Sequence, residues 1–320
     1  MNEKGILWLA KERKEHEQKI KEIAPAYKVV KKEDNVYTDG FRPEDIEIVY
    51  GWGPEGKELL EQEGNGVKWI QASSAGVDYL DFPLLKKQGV RVTNASGIHR
   101  VGIAESVIAM ILFKSRGLLE SVQAEQKKQW APMDQLFELK DQTILIVGTG
   151  QIGQELARLS KAFGMHTIGI NRSGRPVEHI DELYTQDSLF EHIEKADIVV
   201  NILPLTPQTK HLYNKDFFMK MKQTATFVNV GRGPSVKTDD LIHALKEGWF
   251  SYAALDVFEE EPLPSDSPLW KMDNVLVTPH ISGVLEDYMG SVFAIFEENL
   301  VAFSKNNKLP TNQVNLDTGY

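Results

Sequence analysis

The segment TILIVGTGQIGQELARLSKAF, residues 143–163, carries the strongest indication of the fold of this chain. Its apolar first residues, several of them β-branched, predict a strand buried on both faces of a parallel sheet. Gly148, Gly150 and Gly153 follow as G-x-G-x-x-G, and apolar side chains then recur at helical spacing. A strand, a glycine-rich turn and a helix in this order predict a dinucleotide site with the pyrophosphate at the helix N-terminus.

Composition narrows the class of protein. The chain has 320 residues, which is enough for two domains, and a formal net charge of -10, which opposes non-specific binding to nucleic acid or to an anionic membrane. It has no cysteine, so disulfides and thiolate metal sites are excluded, and we expect no metal. The apolar runs Ile6–Ala10 and Val107–Phe113 are too short for a secretory leader or a membrane span. We therefore expect a cytoplasmic protein.

The first hundred residues alternate short apolar runs with helix-compatible segments, which predicts a smaller parallel α/β unit. Two turns follow predicted strands of this unit, G-W-G at 51–53 and SSAGVD at 73–78, and carboxyl ends of strands are where α/β ligands bind. Trp52, Ala75 and Gly76 are therefore candidate ligand contacts, and the alternative is that both are ordinary glycine turns. The predicted strands are 6–9, 28–30, 46–49, 67–70 and 90–93.

The rest of the chain predicts a doubly wound α/β domain. A long helix at 101–119 and a polar arm at 121–133 lead into it, and a helix at 288–303 is expected to return to the first domain. This predicts a discontinuous domain of residues 1–98 and 285–320 and a dinucleotide-binding Rossmann domain of residues 99–284. The six strands predicted in the second domain are 144–147, 167–170, 197–202, 226–230, 252–257 and 275–278.

The end of the second strand of this domain indicates which dinucleotide binds. In such folds an acidic residue there holds the ribose 2′-hydroxyl of NAD, but this strand ends in NRSGR, residues 171–175. Arg172 and Arg175 can pair with a 2′-phosphate, and Asn171 and Ser173 can hydrogen-bond it. We predict a preference for NADP(H), with NAD(H) possible, and the alternative is two surface arginines in a polar turn.

Three polar residues follow three other strands of the second domain. Arg232 lies in a G-R-G turn, Glu261 in an acidic run, and His280 after Thr278-Pro279. Carboxyl ends of parallel strands open on one edge, so the three could converge. Reduction of a carbonyl needs a cation to orient an anionic oxo acid, a proton donor and an anion beside the donor. Arg232 fits the role of the cation, His280 that of the proton donor, and Glu261 that of the anion.

The motifs VGRG (230–233), ALDVFEEEP (254–262) and TPHISG (278–283), downstream of GTGQIG, resemble the signature set of the D-isomer-specific 2-hydroxyacid dehydrogenases. The resemblance implies a flavodoxin-like substrate domain beside the Rossmann domain, and a homodimer. It also implies that Ala75 and Gly76 offer N–H groups to a substrate carboxylate. The predicted substrate contacts are Trp52, Ala75, Gly76, Arg232 and His280. The predicted cofactor contacts are Gly148, Gly150, Gln151, Ile152, Gly153, Asn171, Arg172, Ser173, Arg175, Leu203, Pro204, Val230, Gly231 and Asp256.

The sequence thus favours an NADPH-preferring reductase of a small 2-oxo acid, because NRSGR also resembles the strand end of NADPH-using glyoxylate and hydroxypyruvate reductases. One alternative keeps the fold but uses NAD(H) and a bulkier D-2-hydroxy acid. Another is a non-enzymatic protein that senses dinucleotides. His99 and Arg100 add positive charge at the crossing between the domains, where we interpret them as hinge residues rather than substrate contacts.

Overall fold

The computed structural model describes residues 3–11, 13–33, 36–77, 79–130 and 136–317. The chain divides into two compact units, Met1–Ile98 with Glu286–Tyr320 and His99–Leu285. Each unit is built on a parallel sheet flanked by helices, so the predicted fold class is confirmed. Asp78 and residues 131–135, which belong to two of the predicted segments, lie outside the described residues.

The first unit carries a five-stranded parallel sheet in the order β2-β1-β5-β6-β7. The order corresponds to 2-1-3-4-5 among the strands of this sheet, the flavodoxin-like arrangement. The strands are β1 Lys4–Trp8, β2 Tyr27–Val30, β5 Ile46–Tyr50, β6 Trp69–Gln71 and β7 Arg91–Thr93, with a separate hairpin of β3 Lys32–Glu33 and β4 Val36–Tyr37. The helices are α1 Lys14–Ile23, α2 Pro54–Glu61 and α3 Phe82–Gln88.

The second unit carries a seven-stranded parallel sheet in the order β10-β9-β8-β11-β12-β13-β14. The strand order reverses between β8 and β11, and this switch point is where dinucleotides bind in doubly wound folds. The strands are β8 Thr143–Val147, β9 His166–Asn171, β10 Glu182–Thr185, β11 Ile198–Asn201, β12 Thr226–Asn229, β13 Tyr252–Leu255 and β14 Val275–Val277. The helices are α4 Arg100–Ser115, α5 Leu118–Gln126, α6 Gln151–Ala162, α7 Leu189–His192, α8 Lys215–Phe218 and α9 Thr238–Lys246.

The last helix, α10 (Tyr288–Asn306), belongs to the first unit. Its Phe296 stacks on Trp69 at 5.0 Å between ring centroids and meets Tyr50 edge-on at 4.7 Å. Such aromatic pairs bury large apolar areas and fix the helix against the sheet. α10 therefore completes the core of the first unit, although the other strands and helices of that unit lie at the start of the chain.

Two sequence predictions differ from the structure. The second sheet has a seventh strand, β10, which was missed because its sequence ELYT is polar and the strand is half-buried at the sheet edge. The helix predicted at 101–119 is two helices, α4 and α5, because Gly117 adopts a left-handed φ of 66° between them. The first part of the predicted polar arm is accordingly helical.

Within the described ranges, no helix is both long and apolar enough to cross a membrane. The same residues contain no group of three or more His, Asp or Glu side chains arranged to hold a metal ion.

Candidate active site

The glycine turn after β8 has the geometry that a dinucleotide requires. Gly148 has a backbone φ of 108°, which residues with a side chain rarely adopt. A Cβ atom on Gly153 would lie 2.2 Å from the Gly148 carbonyl oxygen, so only glycine lets α6 approach the strand. A Cβ on Gly150 would meet nothing within 4 Å. The space above Gly150 is therefore open to a phosphate that approaches the backbone.

The first turn of α6 can receive negative charge. The backbone N–H groups of Gln151 and Ile152 find no acceptor among the described residues, and the N-cap, Gly150, supplies no side chain. Unsatisfied N–H groups at a helix start carry partial positive charge and bind phosphate. Leu203 borders the same turn, since its Cδ2 lies 3.3 Å from the ideal Cβ position of Gly148, and Pro204 follows at the exposed loop. These residues fit a pyrophosphate.

The Asn171 amide makes hydrogen bonds within its own turn and to the glycine turn. Its Oδ1 accepts hydrogen bonds from the N–H groups of Ser173 (3.1 Å) and Gly174 (2.6 Å). Its Nδ2 donates to Thr149 Oγ1 at 3.0 Å and to the Arg175 carbonyl at 3.3 Å. Each atom of the amide thus has partners that shape the turn and connect it to the glycine turn, and the predicted contact of Asn171 with the phosphate stays a prediction.

The two arginines of this turn remain available. Arg172 and Arg175 are exposed, and neither has a carboxylate partner within the described part of the chain. Arg175 Nε lies 3.4 Å from Ser173 Oγ, which is a long contact. At the end of β9, two guanidinium groups that lack a carboxylate partner in the described ranges can therefore attract and hydrogen-bond a phosphate monoester.

His280 and Glu261 lie side by side in the second unit. His280 Nδ1 is 2.8 Å from Glu261 Oε2, and the other carboxylate oxygen of Glu261 accepts the Phe258 N–H at 2.9 Å. The His280 side chain is 53% exposed, so its other ring nitrogen, Nε2, can reach a ligand. His280 also has a left-handed φ of 55°, an uncommon conformation for a residue with a side chain.

The charge of Glu261 settles which histidine nitrogen carries a proton. Partial burial acts to raise the pKa of Glu261, but hydrogen bonds from His280 and from the Phe258 N–H outweigh burial and hold this pKa below its ordinary value. Glu261 is therefore ionised near neutral pH and can only accept. The hydrogen of the pair belongs to His280 Nδ1, which leaves Nε2 to exchange a proton with a substrate.

Asp256 holds the loop that carries His280. Its carboxylate is fully buried and accepts from Thr278 Oγ1 (2.6 Å), the Ile281 N–H (2.9 Å), the Ser282 N–H (3.0 Å) and Ser282 Oγ (2.5 Å). Four donors fill the acceptor capacity of a carboxylate. The structure thus gives Asp256 the role of fixing residues 278–282, and its predicted contact with the cofactor stays a prediction.

Arg232 lies in a turn that only glycine can flank. A Cβ on Gly231 would lie 2.8 Å from Asn201 Nδ2, and a Cβ on Gly233 would lie 1.7 Å from the Phe258 carbonyl oxygen. Arg232 is exposed, and its Nη1 donates to the Gly231 carbonyl at 2.7 Å. Val230, just before the turn, is buried.

In the first unit, the loop after β6 presents free N–H groups. Ala75 and Gly76 are exposed, and their N–H groups have no acceptor among the described residues. Their carbonyls are held instead, Ala75 by Asn94 Nδ2 at 2.7 Å and Gly76 by Ser74 Oγ at 2.7 Å. The hydrogen bonds that shape the loop therefore use its carbonyl groups, and its N–H groups are left to bind an anion.

The structure also gives the places of three further residues, Trp52, His99 and Arg100, and the predicted substrate contact of Trp52 stays a prediction. Trp52 is half-buried against the core of the first unit, with Cε3 3.2 Å from the ideal Cβ position of Gly56 on α2. His99 occupies the N-cap position of α4, and its Nδ1 lies 2.7 Å from the Gly283 carbonyl oxygen, which connects the start of α4 to the end of the His280 loop. Arg100 begins α4.

Comparison with known proteins places these features in a family. Residues 108–282 match the family model described as D-isomer specific 2-hydroxyacid dehydrogenase, NAD binding domain. This chain belongs to that family. The resemblance stated from the motifs is thereby confirmed, and so is its class as an NAD(P)-dependent D-2-hydroxyacid dehydrogenase or 2-oxo acid reductase.

Individual members of the family cover most of the chain. A glyoxylate reductase of Thermofilum pendens is 37% identical over 259 residues, which are 79% of this chain and 76% of that protein. The crystal structure of a phosphoglycerate dehydrogenase from Lactobacillus plantarum is 40% identical, with a TM-score of 0.59, covering 97% of this chain and 100% of that one. The NADPH-dependent glyoxylate/hydroxypyruvate reductase of Sinorhizobium meliloti, in complex with NADP and sulfate, is 26% identical, with a TM-score of 0.74, covering 99% and 100%.

Sequence reasoning did not identify the buried polar residues that hydrogen-bond around the Arg232 turn of this dehydrogenase. Asn229, Ser235 and Tyr213 are fully buried and connect Asn201 to the Arg232 turn. One signal was present, since β11 and β12, IVVN and TFVN, each end an apolar run with asparagine. A buried amide at a strand end needs partners, and its presence indicates a network.

Proposed function

We propose that this dehydrogenase reduces a small 2-oxo acid of the glyoxylate or hydroxypyruvate type to the corresponding 2-hydroxy acid, with NADPH as the preferred reductant. The observation that carries the proposal is the ionised Glu261 at 2.8 Å from His280 Nδ1, in the same unit as a glycine turn open at Gly150 and an arginine pair at the end of β9. The two units would then be the substrate-binding domain and the dinucleotide-binding domain.

When bound, the reduced dinucleotide supplies a hydride to the carbonyl carbon of the acid. His280 gives the proton from Nε2 to the carbonyl oxygen, so that a C–H and an O–H bond form as the C=O π bond breaks. Glu261 stabilises the charged imidazolium before the transfer and fixes the ring through Nδ1. The reverse reaction uses the same two atoms, with His280 as the base.

We assign the recognition of the acid group to a cation and to backbone donors. The Arg232 guanidinium can pair with the carboxylate through two N–H groups and polarise the neighbouring carbonyl. The free N–H groups of Ala75 and Gly76 are offered to the same carboxylate. A glyoxylate-sized substrate has little else to recognise, so these charge-assisted bonds would supply most of its binding.

NADPH is favoured because Arg172 and Arg175 have no acidic partner in the described residues and β9 ends without a carboxylate. The Sinorhizobium meliloti relative is described as NADPH-dependent and was solved in complex with NADP, which supports the same choice. Ser173 and Arg175 would complete the phosphate contacts around a turn that Asn171 holds together.

Initial rates with a panel of acids test the proposal. NADPH and NADH are compared with glyoxylate, hydroxypyruvate, pyruvate, 2-oxoisocaproate, phenylpyruvate and 3-phosphohydroxypyruvate, the last because one similar structure is named a phosphoglycerate dehydrogenase. We expect the highest kcat/KM with NADPH and the two smallest polar acids. A preference for NADH with bulky acids would replace the cofactor and substrate assignments, and no reduction of any acid would favour a dinucleotide-sensing protein.

We also propose a homodimer. α5 and the following segment expose Leu118, Val122, Trp130 and Leu136, and Leu118 and Val122 are four residues apart on one helical face. Exposed apolar side chains grouped along the chain are typical of an interface. Light scattering after size exclusion should give twice the chain mass, and Val122→Glu should reduce it, whereas a monomeric parent protein would contradict the proposal.

A further inference from the structure

A hydrogen-bonded network of fully buried polar side chains lies in the second unit between β11 and β12. It consists of Asn201, Tyr213, Asn229 and Ser235, none of which exposes any surface. Asn201 and Asn229 are the last residues of their strands and face each other in register. Burying four polar side chains costs free energy unless all are satisfied, so their arrangement is specific.

Asn201 is the centre of the network and uses its whole amide. Its Nδ2 donates to Asn229 Oδ1 at 2.8 Å and to Ser235 Oγ at 2.8 Å. Its Oδ1 accepts from the Tyr213 hydroxyl at 3.0 Å and from the Leu203 N–H at 3.0 Å. Because each donor and acceptor has a partner, the amide cannot rotate without losing bonds that buried groups cannot replace with water.

The network holds the backbone on both sides of Arg232. After the residue, the Arg232 carbonyl accepts from Ser235 Oγ at 2.6 Å and from the Ser235 N–H at 3.2 Å. Before it, the Gly231 N–H donates to Asn229 Oδ1 at 3.2 Å. The exposed guanidinium bonds only to the Gly231 carbonyl among the described residues, so its direction depends on how its backbone is fixed.

The other end of the network reaches the loop that borders the glycine turn. Leu203, whose N–H binds Asn201, touches the position of a Cβ on Gly148 through its side chain. Its carbonyl oxygen lies 2.8 Å from the Cβ position of Gly231. The loop 202–204 is thus connected both to the proposed pyrophosphate site and to the Arg232 turn.

We propose that Asn201 and Ser235 are positioning residues: they act through Arg232, orient its guanidinium for the 2-oxo acid, and couple it to the loop 202–204. The proposal rests on the role of Arg232 in the proposed function. A displacement of about 1 Å at a group that binds the reacting substrate can cost about a hundredfold in rate, so a buried scaffold of this kind has a measurable effect.

A double-mutant cycle distinguishes positioning from general support of the fold. Ser235→Ala removes the hydroxyl that joins Asn201 to the Arg232 carbonyl, and Tyr213→Phe removes the donor at the far end of the network. Each is made in the parent and in Arg232→Lys, and kcat and KM for the best 2-oxo acid are measured with the full-length protein. Ser160→Ala is the matched control, because Ser160 is equally buried and its hydroxyl binds the Leu156 carbonyl of α6.

We expect Ser235→Ala to lower kcat/KM by about tenfold in the parent and by less than about twofold in Arg232→Lys, since residues that act as one unit are not additive. The loss should appear mainly as a higher KM for the acid, with dinucleotide affinity nearly unchanged. Tyr213→Phe should show a smaller loss with the same dependence on Arg232, and Ser160→Ala should show none.

Equal losses in the two backgrounds, or no loss in the parent, would overturn the positioning role while leaving the proposed function intact. If Arg232→Lys itself retained parental kcat/KM, the proposed role of Arg232 would fail, and the positioning role with it. Thermal melts of all variants identify any that do not fold. If Ser235→Ala does not fold, the double-mutant cycle is measured with Tyr213→Phe instead.

Discussion

The Nδ1 atom of His280 lies 2.8 Å from Oε2 of Glu261, and the second oxygen of the same carboxylate is bound to the Phe258 N–H. Glu261 is therefore anchored to the backbone by one oxygen and holds the imidazole with the other. The pair leaves Nε2 of His280 as the ring nitrogen that can exchange a proton with a ligand.

Replacing His280, the proposed proton donor, should stop reduction of the acid without preventing dinucleotide binding. His280→Ala is expected to lower kcat by about 10²- to 10⁴-fold, because a general acid acts in the transition state. Dinucleotide affinity, measured by fluorescence titration, should change little. His243→Ala, a histidine on α9 that packs against Trp249, is the control and should retain activity. A parallel loss of dinucleotide binding would mean that His280 has another role.

Neutralising the carboxylate should narrow the pH range of reduction. Glu261→Gln keeps an acceptor for Nδ1 but removes the negative charge that stabilises imidazolium, so the alkaline limb of the rate profile should move to lower pH. Initial rates of 2-oxo acid reduction from about pH 5 to pH 9 would show this shift. Glu260→Gln, at the neighbouring exposed position, is the control. An unchanged profile in Glu261→Gln would exclude an electrostatic role for Glu261.

The arginines at the end of β9 should discriminate between the two dinucleotides. Arg172→Ala is expected to raise KM for NADPH by about tenfold or more, the effect of one charge-assisted hydrogen bond, and to leave KM for NADH unchanged. Arg158→Ala is the control, since Arg158 lies on α6 and pairs with Glu155. Equal effects on both cofactors would place the 2′-phosphate elsewhere.

Two glycine substitutions should separate folding from binding. Gly233→Ala would force a Cβ to 1.7 Å from the Phe258 carbonyl oxygen, and we expect a loss of about 2 kcal/mol or more in the free energy of unfolding. Gly150→Ala meets nothing within 4 Å, so its melting temperature should stay near that of the parent while dinucleotide affinity falls. Denaturant titration and dinucleotide binding measure the two effects, and the opposite pattern would contradict the assignment of Gly150.

Acid should weaken the contacts of a second carboxylate, Glu259. It accepts from the Thr238 N–H at the start of α9 and from His211 Nε2 at 2.8 Å. Burial acts to raise the pKa of Glu259, but these hydrogen bonds prevail and lower it. A carboxyl with a lowered folded-state pKa stabilises the fold above its unfolded-state value, and the contribution is lost as the pH falls through the folded-state value. The melting temperature of Glu259→Gln should thus lie below that of the parent near neutrality and approach it in acid, whereas a constant difference would contradict this.

The positions of the candidate site residues were more predictable than their surroundings. Arg232, Glu261 and His280 could be placed at one sheet edge because each follows an apolar run that reads as a buried strand. The occupation of the Asn171 amide by its own turn depends on backbone angles that composition does not encode. Strand β10 was missed because an edge strand can be polar, and the network around Asn201 was missed because it joins strand ends through long-range pairing.

The carboxylate of Asp256, with its four donors from residues 278–282, has a consequence for the temperature dependence of catalysis. The loop that carries His280 is already ordered by hydrogen bonds formed during folding, which include those donated by the backbone N–H groups of Ile281 and Ser282. No loss of loop entropy has to accompany the approach to the transition state. Ordering of this loop should therefore contribute little to the activation entropy of 2-oxo acid reduction, which the temperature dependence of kcat measures.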